Sequence, residues 1–508
     1  MENNFNDVLM VKKIKLPMGQ MLVENGVVTL QDVSKILSVD ANVSLKNDVV
    51  VVSSEANISG KLVLSIVYAD AEGNINCENQ VSNFTYKVNN ENIDSQTKVV
   101  VNAVVLDNDV NLVGGKELKI VTTINFNIML IKNYQKKCLV DCGENTYSKL
   151  SELSTMFYTK DYCERFEEAL DVKLTGGVKK ILNNSVELEV KDVVAGTNFV
   201  AVEGELFERI LYISGEENGE LRTITINKQF KQEFEMEGIN RDSLFDFTPY
   251  ISYDEISISI EDNDEETKIG VVVPMLMCFN FFDNSKVMCI EDLYSTKEIV
   301  EITKEIFECH KTILPFVIDG KIEGSVMLSD DNPRIDKYLC ATNIHAVSTN
   351  TYIKDGLVNI EGIANANVLY LNDETGGIMS VAIEIPFVIA SPTDLSENSE
   401  LSSNLCLENA DIAVKKGREI FFDAKIKALI GGCEELSFNA VVGAERIGEV
   451  EPKDASLEIY FAKMGESIWD IAKNLKIPSE IIINQNPNLS DPLEKDEKVA
   501  IYYQKTNK

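Results

Sequence analysis

Apolar and polar residues alternate with a period of two through much of the chain up to residue 435. Val99, Val101 and Ala103 alternate with Val100, Asn102 and Val104, and Ile256, Ile258 and Ile260 with Ser257, Ser259 and Glu261. Alternation of β-branched residues between short polar turns predicts half-buried antiparallel strands. Two stretches depart from it. Tyr147 to Ala169 spaces Leu150, Leu153, Met156 and Phe157, and Asp292 to Phe307 spaces Ile299, Ile302 and Ile306. These spacings predict helical connectors over 136–169 and 291–312. The most apolar run, Ile269 to Phe282, contains Pro274 and Asn280 and reads as a buried pair of strands.

A pattern recurs three times within this alternation. Ile58-Ser59-Gly60 leads to Tyr68, Val202-Glu203-Gly204 to Tyr212, and Ile360-Glu361-Gly362 to Tyr370. Upstream, Lys35-Ile36-Leu37, Lys180-Ile181-Leu182 and Lys337-Tyr338-Leu339 stand 25, 24 and 25 residues before the glycines, counted from the lysine. Downstream, each Tyr enters an acidic, glycine-containing turn. The glycines are 144 and 158 residues apart, a spacing of whole domains and not of solenoid units. The expected fold is multidomain and mainly β: three β-sandwich-like or jelly-roll-like repeats plus a small βααβ domain. The repeats are expected at 1–135, 170–290 and 313–435, with a linker at 436–456 and the last domain at 457–504. The repeated Gly predicts a bulge or a close backbone approach, and the repeated Tyr a core position.

Composition narrows the function. The 508 residues carry 82 acidic and 48 basic side chains, a net charge of −34, which opposes binding to nucleic acid or to an anionic membrane surface. No apolar run approaches the ~18 residues of a membrane helix, so direct membrane insertion is not expected. Met1 to Lys13 shows no basic-then-apolar leader, and the ten cysteines form no paired framework. Both point to a cytosolic protein with free, reduced thiols.

Catalytic signals are lacking. There is no nucleophile elbow, phosphate loop or zinc-protease helix motif, and Gly114-Gly115-Lys116 reads as a turn. His310 and His345 are the two histidines, and neither stands in a catalytic pattern. Glu261 to Glu266 lacks calcium-loop spacing and reads as a solvated loop. Cys138-x3-Cys142 has no second pair for zinc. No enzyme, no cofactor and no metal are expected.

The C-terminal stretch follows other rules. Glu458 to Lys463 predicts a strand, Gly465 a turn, and Ser467 with Asp470 an N-terminal capping box. Ile468, Ile471, Ala472 and Leu475 share one helix face. Pro478 opens a second helix, Asn486-Pro487 closes it, and Lys498 to Tyr502 is a last strand. Gly465-Glu466-Ser467-Ile468-Trp469-Asp470-Ile471-Ala472 together with Asn486-Pro487 resembles a LysM domain. Glu466, Asp496 and Tyr502 depart from that family's pattern. The resemblance implies a glycan groove between the Gly465–Ser467 loop and the loop after Asn486.

Three β repeats with one LysM-like tail resemble the SipL family of clostridial spore-coat morphogenetic proteins, whose repeats are SPOCS domains. That resemblance implies a non-enzymatic scaffold made in the mother-cell cytoplasm and placed at the forespore surface and in the spore coat. It implies binding, through LysM, to the coat-basement ATPase, stage IV sporulation protein A, and association with other coat proteins. Trp469, at the edge of the helix's buried stripe, is the expected partner contact, flanked by Lys463 and Lys473. Ser467 sets the helix phase, and Gly465 and Asn486 mark an alternative face. Two other readings stand beside it: a wall protein binding peptidoglycan or N-acetylglucosamine, which requires export, and a LysM-targeted hydrolase, which requires a polar catalytic cleft.

Overall fold

The computed structural model describes residues 3–503 apart from 30–32, 47, 114–116, 217–218, 263–265, 452 and 454–455. Gly114-Gly115-Lys116 and the middle of the Glu261–Glu266 segment lie outside the described residues. The first copy comprises β1 (Asn4–Lys15), β2 (Gly19–Thr29), β3 (Val33–Leu45), β4 (Val50–Val52), β5 (Glu55–Asp70), β6 (Ile75–Asn89), β7 (Lys98–Val113) and β8 (Glu117–Asp141). The second comprises β9 (Thr146–Leu174), β10 (Val178–Ala195), β11 (Phe199–Ser214), β12 (Leu221–Glu235), β13 (Leu244–Ile251), β14 (Ser257–Asp262) and β15 (Thr267–Ser295). The third comprises β16 (Glu298–Met327), β17 (Ile335–Lys354), β18 (Leu357–Asn372), β19 (Ile378–Pro392), β20 (Glu400–Lys415) and β21 (Glu419–Glu449). The chain ends in β22 (Leu457–Ala462), α1 (Ile468–Leu475), α2 (Ser479–Gln485) and β23 (Glu497–Tyr502).

Each copy is a two-sheet sandwich with one topology. A meander, β3-β5-β6, β10-β11-β12 or β17-β18-β19, forms one sheet. The copy's first and last strands pair with each other in the second sheet, beside β7, β13 with β14, or β20. Apolar residues from both sheets fill one core per copy. The strand alternation expected from the sequence is therefore that of an antiparallel sandwich.

The repeated glycines occupy one position. Gly60, Gly204 and Gly362 lie on the central meander strand, opposite Phe84, Phe230 and Phe387. A Cβ at any of them would stand 2.5–2.6 Å from that ring's Cζ and 2.5–2.8 Å from the backbone oxygen of Ser44, Glu189 or Val347. This is the close approach the motif implies. A flexible ring can yield, but the carbonyl of a paired strand cannot. Gly362→Ala should cost about 1–3 kcal/mol by overpacking, read as a lower denaturant midpoint. Tyr68, Tyr212 and Tyr370 are buried in the three cores.

The predicted helical connectors are corrected by the structure. Residues 136–169 are the end of β8 and most of β9, and 291–312 are the end of β15 and the start of β16. β9 pairs with β15 along its whole length, and its register is unbroken from Leu150 to Tyr158. Leu153 and Met156, three residues apart, therefore stand on opposite faces of the strand, and the burial of both faces mimics helical spacing. Leu153 and Met156 are buried, whereas Leu150, Ile299 and Ile306 are exposed. The boundaries move accordingly: each copy starts and ends with its long paired strands. The expected linker at 436–456 is strand as far as Glu449. The run Ile269 to Phe282 is one continuous piece of β15, not two strands.

The long strands carry the three copies into contact. Val8 and Met10 of β1, Leu153 and Met156 of β9, and Phe307 and Cys309 of β16 share one buried cluster. Lys13, itself buried, bonds both oxygens of Asp246 at 2.8 and 2.7 Å and lies over the Phe282 ring. The expectation of uniformly free thiols is also corrected. Cys138 pairs with Cys289 between the first and second copies, and Cys163 with Cys278 across β9 and β15. Scattered spacing hides these pairs because the partners stand on strands joined only by the fold. Cys77 is half-buried, whereas Cys142, Cys309, Cys340, Cys406 and Cys433 are buried thiols. Alkylation of the native, unreduced protein should label Cys77 first, as peptide mapping would read.

Candidate partner-binding site

The last four elements form the expected βααβ unit, with β22 and β23 antiparallel. Ser467 caps α1: its Oγ accepts from the Asp470 N–H at 3.1 Å, and the Asp470 carboxylate accepts from the Ser467 N–H at 3.1 Å. The cap fixes the helix phase. Ile468, Ile471, Ala472 and Leu475 then point into a core shared with Ile482, Val499 and Ile501. Gly465 turns the chain at φ +87°, where a side chain would be strained, and its N–H donates to the Leu493 carbonyl at 2.8 Å. Asn486 is a structural clamp. Its amide donates to the carbonyls of Ile482 and Ala500 at 3.1 and 2.9 Å, and its Oδ1 accepts from the Ala500 N–H at 3.0 Å. Lys463 lies exposed at the end of β22.

Trp469 and Lys473 are already engaged within the chain. Trp469 Nε1 donates to Asp292 at 2.8 Å, and Lys473 Nζ donates to both oxygens of the same carboxylate at 2.7 and 2.8 Å. Lys304 adds a third contact at 3.3 Å. The Tyr294 ring meets the Trp469 ring edge-on at a centroid distance of 5.0 Å and stacks on Tyr147. The Tyr294 hydroxyl donates to the Ile477 carbonyl at 2.8 Å. Tyr294 thus completes the core of a domain to which it does not belong in sequence. Burial alone would raise the Asp292 pKa, but the hydrogen bonds from Lys473 and Trp469 hold it below the ordinary carboxylate value. Sequence reasoning missed Asp292 and Tyr294. Their signal, alternate positions on one strand, becomes informative only once β15 is known to reach the C-terminal domain.

Docking leaves another face free. Leu457, Ile459 and Phe461 alternate on the outer side of β22, and Tyr502 lies opposite Leu457. All four are exposed, Phe461 at 70%, as is neighbouring Met464. Lys498 lies over the Phe461 ring. Contiguous apolar side chains on a small domain mark an interaction surface more often than solitary ones do.

His310 and His345 do not come together. His310 is buried on β16, and His345 lies on β17 between the Asn343 carbonyl at 3.1 Å and Asn365 at 3.3 Å. Burial lowers both imidazole pKa values. Among the described residues, no group of three or more His, Cys, Asp or Glu side chains could hold a metal ion, and no helix is long and apolar enough to cross a membrane.

These features define a class: a three-copy β-sandwich protein with a small βααβ domain docked on its second copy. Residues 32–113 and 177–261 match the family described as SipL, SPOCS domain. The matched stretches begin just before β3 and β10 and cover the meanders of the first two copies, so the chain resembles SipL there. No curated protein and no solved structure gave a match.

Proposed function

We propose that the protein is a non-enzymatic scaffold of sporulation that helps to encase the forespore in coat. The SPOCS-domain similarity in two copies carries this reading. The third copy has the same topology and the same buried glycine, which supports a single architecture along the chain. In this reading the protein works in the mother-cell cytoplasm, gathers at the forespore surface and remains in the coat. Its LysM-like domain binds the coat-basement ATPase, stage IV sporulation protein A, and through it other coat proteins.

The docked arrangement refines which residues would make that contact. Trp469 and Lys473 hold the domain on the second copy, so the exposed row of Leu457, Ile459, Phe461 and Tyr502 is the face we assign to the partner. A large aromatic in an otherwise apolar row suits an interface anchor. Pull-down from sporulating cells with the full chain and with a chain lacking residues 457–508 tests the reading. Capture of the ATPase should be lost with the truncation and with Phe461→Glu, whose fold circular dichroism would verify. Retention of the ATPase by the truncated chain would refute the role of this domain. A fluorescent fusion spread over the vegetative wall would favour the glycan-binding alternative.

A further inference from the structure

The three copies together line a partly open cavity of about 450 Å³. We propose that this cavity is a binding site for a small organic amine. Its walls come from β3 and β7 of the first copy, β10 and β13 of the second, and β17 and β20 of the third. Strand register makes the contributions equivalent. Asn42, Glu187 and His345 stand opposite Val63, Phe207 and Asn365, each three residues after a repeated glycine. Asp40, Ser185 and Thr342 stand opposite Ser65, Arg209 and Asn367, each five residues after it. One architectural position thus presents an amide, a carboxyl and an imidazole toward a common space.

Above this ring the copies are sealed together. Thr342 Oγ1 donates to Ser38 Oγ at 2.9 Å, Ser38 donates to Asp40 at 2.7 Å, and Asn183 donates to the other Asp40 oxygen. Val67, Leu211 and Leu369 form an apolar plug beyond it. The seal uses side chains of all three copies, so the ring below it exists only in the assembled trio.

The lining points to a cationic ligand: it holds the carboxyls of Asp40, Glu187, Glu189 and Glu400 against the ammonium groups of Lys15 and Lys427. Glu187, half-buried, lines the cavity; its carboxyl accepts from the Leu407 N–H at 3.4 Å and also interacts with the Cys406 thiol and the Arg209 charge. Glu189, 1% exposed, bonds Lys427 through one oxygen at 2.5 Å, while its other oxygen has no partner. Tyr250, Tyr253 and Phe247 supply aromatic wall, the surface on which an ammonium is favoured. A volume in the range of small-molecule pockets, walls of mixed apolar and polar character, and convergent polar groups are the marks of a ligand site. Burial pushes Glu187 up to about 7, with Arg209 and the Leu407 N–H offsetting only part. An incoming ammonium would favour the ionised carboxylate, so binding near neutral pH should release a proton.

Calorimetric titration of the full chain with 1,4-diaminobutane, against 1,4-butanediol as the uncharged isostere, tests the proposal. Ionic strength would be fixed near physiological to suppress binding to the acidic surface. Saturable binding of the diamine and not the diol is expected, with a higher melting temperature. Glu187→Gln should weaken binding at least tenfold, and Asn42→Asp, which adds a carboxylate to the same ring, should tighten it. No saturable diamine binding, or equal binding of the diol, overturns the proposal. So does unchanged affinity in folded Asn42→Asp or Glu187→Gln protein.

Discussion

Replacing Glu208 with leucine should stabilise the protein more than any other single change to its cores. Glu208 sits on β11 between Leu206 and Ile210, on the face that fills the second copy's core. The first and third copies have Leu64 and Ala366 at this position, four residues after the glycine, and both are buried in their own cores. Glu208 is fully buried, and neither carboxyl oxygen has a hydrogen-bond partner. Burial pushes its pKa up to about 8, with Asn184 and Arg209 offsetting only a part. The unfolded chain titrates near 4.5, so between about 4.5 and 8 the folded protein holds a proton that the unfolded chain releases. The contribution to stability is complete below the lower value and is lost progressively as pH rises through the upper one. At pH 7 the penalty is on the order of 3 kcal/mol. Glu208→Leu should therefore raise the denaturant midpoint and flatten its dependence on pH between 5 and 8. Glu208→Gln should flatten the pH dependence with a smaller gain, because it leaves a buried amide to satisfy. Unchanged pH dependence in both variants would show that Glu208 does not titrate in the core.

Asp292→Ala should release the C-terminal domain from the second copy. It removes the carboxylate that binds Trp469 and Lys473 and leaves the aromatic contact through Tyr294. Losing one partner of a largely buried, charge-assisted cluster costs about 2–5 kcal/mol, enough to undo a small interface. Trp469 is the chain's single tryptophan, so its emission reports docking directly. Red-shifted emission and faster acrylamide quenching are expected for Asp292→Ala, with the secondary structure kept. Because Asp292 has a lowered pKa, its contribution to docking is present above the ordinary value of 3.8 and is lost as pH falls through the folded value. Acid should thus produce the same red shift in the wild-type protein. Trp469→Glu should also undock the domain. Loss of partner binding in that variant would therefore reflect displacement of the domain as well as any direct contact.

The sequence by itself determined the repeated unit, its strand alternation, the tight place of Gly60, Gly204 and Gly362, and the capped helix of the last domain. These are local properties: a side-chain period, a missing Cβ and a cap are written within a few residues. Even Trp469 at the edge of a buried stripe was legible from helix phase. What lies across that edge was not, because Asp292 and Tyr294 come from a strand about 175 residues earlier in the chain. Only the tertiary structure decided that residues 136–169 and 291–312 are paired strands, since burial on both faces of β9 and exposed isoleucines on β16 masked the two-residue period and a distant strand supplied their hydrogen bonds. It alone joined Cys138 to Cys289, and it alone turned Asn42, Glu187 and His345 toward one cavity. Each of those residues reads in sequence as an ordinary polar position on a half-exposed strand. Their convergence depends on three sheets packing against one another, and packing between sheets leaves no period in the chain.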